Sequence, residues 1–227
     1  MKNTNPRQMS CHVNNKAVIE LINKLQYPQA GKGSFLHRKA RTEKDKNGQY
    51  LPASLIGINV VNYSVKPSVF VQENITPSEL KELYYEAILK RNNYQFSGNG
   101  QKIFGPVDKD GYATARSIQI CRQGSFKQGD QLITKNYPWT VTIQNGKGIK
   151  EINKNTGGTK IKSGSFVCEK KASINLSDGD FFTFLDEAVT YLLAWENYIS
   201  HSYIKANEEA IRTFEKEKAL DRRKSEI

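Results

Sequence analysis

Apolar residues recur with the spacing of an amphipathic α-helix in three stretches of this chain. Residues 15–26 form the first stretch, in which Ala17, Leu21 and Leu25 share one side, and they predict an N-terminal helix. Residues 77–91 and 180–223 form the other two stretches, the last of which is long and becomes polar towards its end. The chain is therefore expected to contain three helices.

Between these helices the apolar residues are β-branched or alternate with polar ones, which is typical of strands. Five strands are predicted, at residues 54–63, 69–71, 113–123, 137–145 and 166–174. Trp139 shares its side of a strand with Val141 and Ile143, so a core position is favoured for its ring. The pair Asn145-Gly146 predicts a turn. Two cysteines on these strands, Cys121 and Cys168, are expected to be buried.

The two strand-rich regions end in similar sequences. Residues 74–80 (Asn-Ile-Thr-Pro-Ser-Glu-Leu) align with residues 175–181 (Asn-Leu-Ser-Asp-Gly-Asp-Phe) at an offset of 101 residues, without a gap. Thr76, with a capping-box glutamate at Glu79, is the expected N-cap of the helix at residues 77–91. Ser177 or Asp178 is the expected N-cap of the long C-terminal helix. The match indicates an internal repeat. The alternative is that strand-to-helix junctions use the same cap residues by chance.

These patterns predict an α+β protein with two pseudo-repeated units, each of antiparallel strands followed by a helix. An N-terminal helix precedes the units and a long C-terminal helix ends the chain. The expected domains are an N-terminal helix and linker (1–32), a first unit (33–92), a connection (93–111), a second unit (112–200) and a polar helix extension (201–227).

Charge follows the same period. The 227 residues carry 34 basic and 23 acidic side chains, a net charge of +11. Residues 1–66 and residues 100–172 are each net +8, whereas the helical residues 67–99 and 173–227 are net -1 and -4. Basic strand regions with neutral or acidic helices indicate a protein with one anion-binding side. The sequence has no apolar stretch long enough to span a membrane and no disulfide framework, so we expect a cytoplasmic protein without a membrane partner.

The second unit resembles a known group of proteins. The run Tyr137-Pro-Trp-Thr-Val-Thr-Ile-Gln-Asn-Gly-Lys-Gly and the run from Ala172 through Asn-Leu-Ser-Asp-Gly-Asp-Phe-Phe look like a PUR repeat, and are similar to the related Whirly proteins. The resemblance implies four antiparallel strands and a helix per unit, with paired helices and single-stranded DNA or RNA bound on the sheets. A looser resemblance links the segments at Arg122, Trp139 and Gly157 to accessory proteins of mobile elements, some of which are anti-CRISPR inhibitors.

Basic and aromatic residues supply the candidate binding site, because single strands need cations for phosphates and flat rings for bases. The candidate residues of the second unit are Lys147, Lys150, Lys154, Lys160, Lys162, Arg116, Arg122, Tyr137 and Phe126. A second basic segment adds Arg38, Lys39 and Arg41 as a phosphate-binding arm. The alternative for both groups is that these lysines and arginines form solvated surface loops without a partner.

Catalytic motifs are absent from the sequence. The three histidines are scattered, no phosphate-binding loop occurs, and Asp108 and Asp110 precede a glycine as in a turn. We therefore expect no catalytic residues, no metal and no cofactor. The predicted function is non-enzymatic binding of single-stranded DNA or RNA through basic strand surfaces. The alternatives are an inhibitor of a bacterial nucleoprotein defence complex and a metal-dependent nuclease. Ile204, Ile211 and Phe214 form a thin apolar seam that suggests a homodimer through the C-terminal helix, and the alternative is a solvated helix end.

Overall fold

Two antiparallel sheets, each followed by a helix, make up most of the chain. A computed structural model describes residues 5–28, 31, 36–38, 47–154 and 157–225. The first sheet has four strands that are neighbours in chain order, and they are β1 (Gln8–Val13), β2 (Ala17–Lys24), β3 (Leu55–Asn62) and β4 (Val69–Ile75). Helix α1 (Pro77–Leu89) follows β4 directly.

The second sheet is built around two long strands. Its strands are β5 (Tyr94–Gln95), β6 (Gly100–Phe104), β7 (Tyr112–Arg122), β10 (Trp139–Ile152), β11 (Thr159–Ile161) and β12 (Val167–Leu176). A separate hairpin of β8 (Ser125–Gln128) and β9 (Gln131–Thr134) connects β7 to β10. Helix α2 (Asp178–Ser225) follows β12 and completes a mixed α+β fold.

Both helices begin with a reciprocal cap. The Thr76 hydroxyl accepts the backbone N–H of Glu79 at 3.1 Å, and the Glu79 carboxylate accepts the backbone N–H of Thr76 at 2.6 Å. Ser177 and Asp180 form the same pair of bonds at 3.1 and 3.4 Å before α2. Each exchange satisfies two backbone donors that a helix start leaves open. The predicted starts of both helices are confirmed.

The predicted N-terminal helix is wrong, because the residues concerned form β2. Ala17, Ile19 and Leu21 are buried while Val18 and Glu20 are half-buried, which is the alternation of a strand. Apolar residues at 17, 18, 21 and 22 satisfy helical spacing, whereas those at 17, 19 and 21 satisfy strand alternation. The segment forms a strand because it pairs with β1, where Cys11 lies opposite Glu20, and because it lies beside β3 in the sheet.

Three other sequence predictions have clear outcomes. Trp139 is fully buried, and its ring stacks on Phe181 of α2 with the centroids 4.0 Å apart, so its core position is confirmed. Cys168 is exposed and Cys121 is half-buried, so the expectation that both are buried is wrong. Strand alternation places Cys121 on the side of the sheet that faces away from α2. Cys168 lies opposite Gly146, past the part of β10 that α2 covers.

The chain divides into two compact units. Met1–Asn23 and Ile56–Val189 form the first, which holds both sheets, α1 and the start of α2. Within it α1 contacts α2, since the Tyr84 hydroxyl donates to Asp186 at 2.9 Å and its ring stacks on Phe182. The second unit joins Lys24–Leu55 to α2 from Thr190 onwards.

Aromatic stacking and polar bonds hold the second unit together. His37 stacks on Trp195 with the ring centroids 5.3 Å apart, and its Nε2 lies 2.8 Å from a carboxylate oxygen of Glu196. The Asn207 side chain accepts the backbone N–H of Gly31 at 3.1 Å. These contacts attach the segment before β3 to one side of the long helix.

The predicted turn at Asn145-Gly146 is wrong, because β10 continues through it. A bulge lies opposite these residues, where the partner of Asn145 is Lys170 and the partner of Gly146 is Cys168. A Cβ on Gly146 would stand 2.0 Å from the backbone oxygen of Val167, so only glycine fits. Here glycine permits close approach of two strands instead of a tight turn.

Asn145 joins the two sheets at the same point. Its amide nitrogen donates to the backbone oxygen of Gln72 at 2.8 Å, and its amide oxygen accepts the Gln72 backbone N–H at 2.9 Å. The side chain therefore satisfies the exposed edge of β4 as a neighbouring strand would. This contact fixes the end of the first sheet against the middle of β10.

Replacing Gly146 should destabilise the fold. In Gly146→Ala the new methyl group meets backbone atoms that cannot move aside, so we expect the free energy of unfolding to fall by about 2 to 4 kcal/mol. Chemical denaturation measures the change. The control is Gly179→Ala, whose methyl group would meet no atom closer than 3.9 Å. An equal loss in both variants would contradict the role given to the Gly146 contact.

Replacing Asn145 should loosen the edge of β4. Asn145→Ala removes two hydrogen bonds and leaves a backbone donor and acceptor without partners, which costs about 1 to 3 kcal/mol. Hydrogen exchange at the Gln72 amide should become faster, whereas Gln144→Ala, on the other side of β10, should leave it unchanged. Unaltered Gln72 exchange in Asn145→Ala would show that the two sheets are held together by other contacts.

Candidate nucleic-acid interface

The cover of β10 changes along its length. Residues directly opposite in an antiparallel pair share a face, and successive residues of a strand point to opposite faces. Trp139, Val141 and Ile143 are buried on the side of α2, and beyond them the same side carries Asn145 and Lys147. The other side is solvent-facing at first and is then buried at Gly146 and Gly148.

The strand end is covered on that second side by β11 and β6. Lys150 pairs with Ile161, and a Cβ on Gly148 would lie 3.1 Å from a methyl group of Ile161. Ala113 and Ala115 of β7 are buried nearby, and β11 contacts β6. The sheet is therefore strongly curled at this end, with small residues inside the curl.

Cations and aromatic rings lie together on the outside of this curl. Register places on one face a set of side chains that we call the cationic face. Its cations and rings are Phe104, Tyr112, Arg116, Lys147, Lys160, Lys162 and Lys170, and its other polar side chains are Thr114, Asn145 and Glu151. Lys162 belongs to it because its backbone N–H bonds the oxygen of Ile149, next to the pair of Glu151 and Lys160.

Two cation–π pairs order the centre of the cationic face. The Nζ of Lys147 lies 4.9 Å from the ring centroid of Tyr112, and the Cζ of Arg116 lies 4.8 Å from that of Phe104. Such pairs are worth about 0.5 to 1 kcal/mol at exposed sites. Burial lowers the pKa of Arg116, while the charge of Glu73 raises it. A partly dehydrated guanidinium gains from an added anion.

Four of the predicted site residues meet on this face, and two candidate lysines point elsewhere. The cationic face contains Arg116, Lys147, Lys160 and Lys162. Lys150 lies on the opposite side of β10, where its Nζ donates to the Gly105 backbone oxygen. Lys154 is exposed in the turn after β10. The five candidate lysines are thus divided, with three on the cationic face and two, Lys150 and Lys154, elsewhere.

Arg122 is a structural residue instead of a surface cation. Its guanidinium donates two bonds of 2.9 Å to the carboxylate of Asp178, which also accepts the indole N–H of Trp139 at 2.8 Å. Arg122 is only 9% exposed. The hydrogen bonds from Arg122 hold the pKa of Asp178 below its ordinary value. This network links β7, β10 and the start of α2.

Two further candidates of the second sheet region, Phe126 and Tyr137, do not belong to the cationic face. Phe126 is on β8 under the ammonium of Lys135, and Tyr137 is exposed just before β10. Arg38 donates to the backbone oxygens of Tyr27 and Pro52 in the second unit. Lys39 and Arg41 lie outside the described residues.

Sequence reasoning missed Phe104, Tyr112 and Lys170. Tyr112 shares the parity of Arg116 along β7, which is a signal available in the sequence. Phe104 and Lys170 reach the face only through the pairing of β6 with β7 and of β12 with β10. Position along the chain alone does not reveal those pairings.

The open face of the second sheet, on the side away from α2, is uncharged over most of its area. It carries Gln119, Thr142, Ser173 and Asn175, and Thr142 bonds Ser173 at 2.8 Å. Lys171, opposite Gln144, is an exception. The positive charge predicted for the strand surface is concentrated at the curled end.

Other chemistry has little support in the described part of the chain. Within residues 5–28, 31, 36–38, 47–154 and 157–225, no group of three or more His, Cys, Asp or Glu side chains is placed to hold a metal. Asp108 accepts the backbone N–H groups of Asp110 and Tyr112, so the predicted turn is confirmed. Neither helix, as far as it is described, has an apolar stretch long enough to cross a membrane.

The seam on α2 is exposed in this chain. Ile204, Ile211 and Phe214 are 54%, 47% and 63% exposed. A homodimer through this helix remains a prediction.

Comparison with protein-family models, curated proteins and solved structures found no match for this chain.

The Arg122–Asp178 pair should make stability depend on acid pH. Because the pKa of Asp178 is lowered in the folded protein, its contribution is complete above the ordinary value of 3.8 and is lost as the pH falls. Asp178→Asn should therefore reduce the free energy of unfolding near neutral pH, and the difference from wild type should shrink between about pH 5 and pH 2. Urea denaturation across this range measures it. A difference that does not change with pH would contradict the ion pair.

Proposed function

We propose that this protein binds single-stranded DNA or RNA without chemical conversion, and that the cationic face is the binding surface. The observation that carries the proposal is the pairing of cations with aromatic rings on the outside of the curled sheet. Cations bind the phosphates of a single strand, and aromatic rings stack on its bases. Lys147 with Tyr112, and Arg116 with Phe104, supply both within a few ångströms.

The topology supports the repeat that the sequence indicated. The chain has two antiparallel sheets, each ending in a strand that leads through a capping box into a helix, and the two helices contact each other. These features agree with the PUR-like and Whirly-like organisation. The uncharged open face leads us to propose a different binding surface from the sheet faces used in that group. A reducing location such as the cytoplasm fits the three free cysteines.

Removing charge from the cationic face should weaken binding and its dependence on salt. In Lys147→Gln/Lys160→Gln/Lys162→Gln we expect an increase in Kd of about 10- to 100-fold near 50 mM salt. The slope of log K against log salt should fall by about 2, because each phosphate contact with a single strand contributes about 0.7. Fluorescence anisotropy of labelled single-stranded DNA and RNA at several salt concentrations measures both quantities.

A matched variant controls for net charge. Lys205→Gln/Lys216→Gln/Lys218→Gln removes the same charge from exposed positions on α2 and should change Kd less than about twofold. Equal weakening in the two triple variants would mean that total charge, not this face, is responsible. Absence of binding at low salt overturns the proposal and favours the protein-directed inhibitor. Shortening of the oligonucleotide on addition of magnesium would indicate the nuclease.

A further inference from the structure

We infer that the cationic face binds single strands of any sequence and discriminates against duplexes. This inference rests on the proposed function and concerns which groups on the face remain available to a ligand. Base identity is read by amides, carboxylates and guanidinium groups that form paired hydrogen bonds with base edges. Backbone contacts and stacking carry little information about sequence.

The amide of this face already has partners. Asn145 uses its nitrogen and its oxygen on the backbone of Gln72, at 2.8 and 2.9 Å. An amide reads adenine by presenting one donor and one acceptor together. Asn145 presents that same pair to β4, so reading a base would require it to release the edge of the first sheet.

The carboxylate is occupied as well. Glu151 lies 3.0 Å from the ammonium of Lys160 on the neighbouring strand.

A further lysine near this face is also occupied. Lys102 lies opposite Arg116 in the register of β6 and β7, and its ammonium donates to the Asn74 backbone oxygen at 2.8 Å. Thr114, between the two cation–π pairs, adds a hydroxyl that can bond to either kind of base edge.

The ammonium groups and rings that remain are tolerant of sequence. An ammonium is a point charge without the fixed geometry of a guanidinium. Lys147, Lys162 and Lys170 supply most of the charge, since Lys160 is paired with Glu151. Arg116 is held over the ring of Phe104. Every base has a π-face, so Tyr112 and Phe104 can stack on any unpaired base. In a duplex those base faces are enclosed, which leaves only the phosphate contacts.

The test compares oligo(dT), oligo(dC), oligo(dA) and a mixed sequence of equal length, together with the mixed sequence as a duplex. We expect the Kd values of the single strands to agree within about fivefold and the duplex to bind at least about tenfold more weakly. One single strand binding more than about 30-fold more tightly than the others overturns the inference and leaves the proposed function standing. Tighter binding of the duplex also overturns it. Absence of binding to every oligonucleotide defeats the proposed function itself.

Variants of Tyr112 test the stacking part. Tyr112→Leu should weaken binding to all the single strands by a similar factor, about 5- to 100-fold, whereas Tyr112→Phe should keep the affinity because the ring remains. The control is Tyr198→Leu, at a tyrosine of α2 that is 78% exposed. Weakening by Tyr112→Leu for one homopolymer alone would contradict sequence-tolerant stacking. Thermal unfolding of each variant confirms that it is folded.

Discussion

The change of cover along β10 is the constraint on which the rest of this structure depends. The strand pairs with β7 in a single register from Trp139 to Ile149, so its side chains alternate without interruption. At Asn145 and Gly146, however, the buried side of the strand changes. Before this point α2 covers the side of Trp139, and after it β11 and β6 cover the opposite side. The side that buries Trp139 under α2 becomes the side that presents Lys147 to solvent. One strand can therefore build a core and a charged surface without reversing direction.

Each residue at the exchange point has a separate physical task. Gly146 lets the backbone of β12 come closer than any side chain permits. Asn145 satisfies the edge of β4, which would otherwise expose a backbone donor and acceptor where the sheets meet. Gly148 makes room for Ile161 inside the curl. The position of the cationic face is consequently fixed by backbone geometry, while contacts with Tyr112 and Glu151 order two of its lysines, Lys147 and Lys160.

Sequence reasoning succeeded where the deciding signals are local. Thr76 is predictable as one cap, and Ser177 or Asp178 as the other, because a capping box is complete within four residues. Trp139 was placed in the core by alternation. The N-terminal helix failed because residues 17–22 fit both periods, and pairing with β1 and β3 is non-local. Asn145-Gly146 failed because the same dipeptide that favours a turn also suits a close strand approach.

The candidate site shows the same difference between local signals and non-local strand pairing. Lysines 147 and 150 are three residues apart in the sequence, yet they lie on opposite sides of β10, because an odd separation in a strand changes the face. Lys147 and Tyr112 are far apart in the sequence and meet through the pairing of β7 with β10. A count of basic residues in a segment therefore overestimates the charge available on one surface. Arg122 illustrates this directly, since its charge is consumed by Asp178.

The distribution of charge also bears on how a fold of this kind can carry a binding surface. A sheet backed by a helix on one side offers its opposite side to a ligand, and the resemblance to PUR repeats implied binding there. In this chain that side carries Thr142, Ser173 and Asn175, whose hydroxyl and amide groups are neutral and partly bonded to one another. The concentrated positive potential lies instead where β10 extends past the end of its cover by α2. An extended strand that is curled away from the core creates new surface without disturbing the packing beneath the helix. Because Gly148, Ala113, Ala115 and Ile161 fill the inside of the curl, cations and rings on its outside do not take part in that packing.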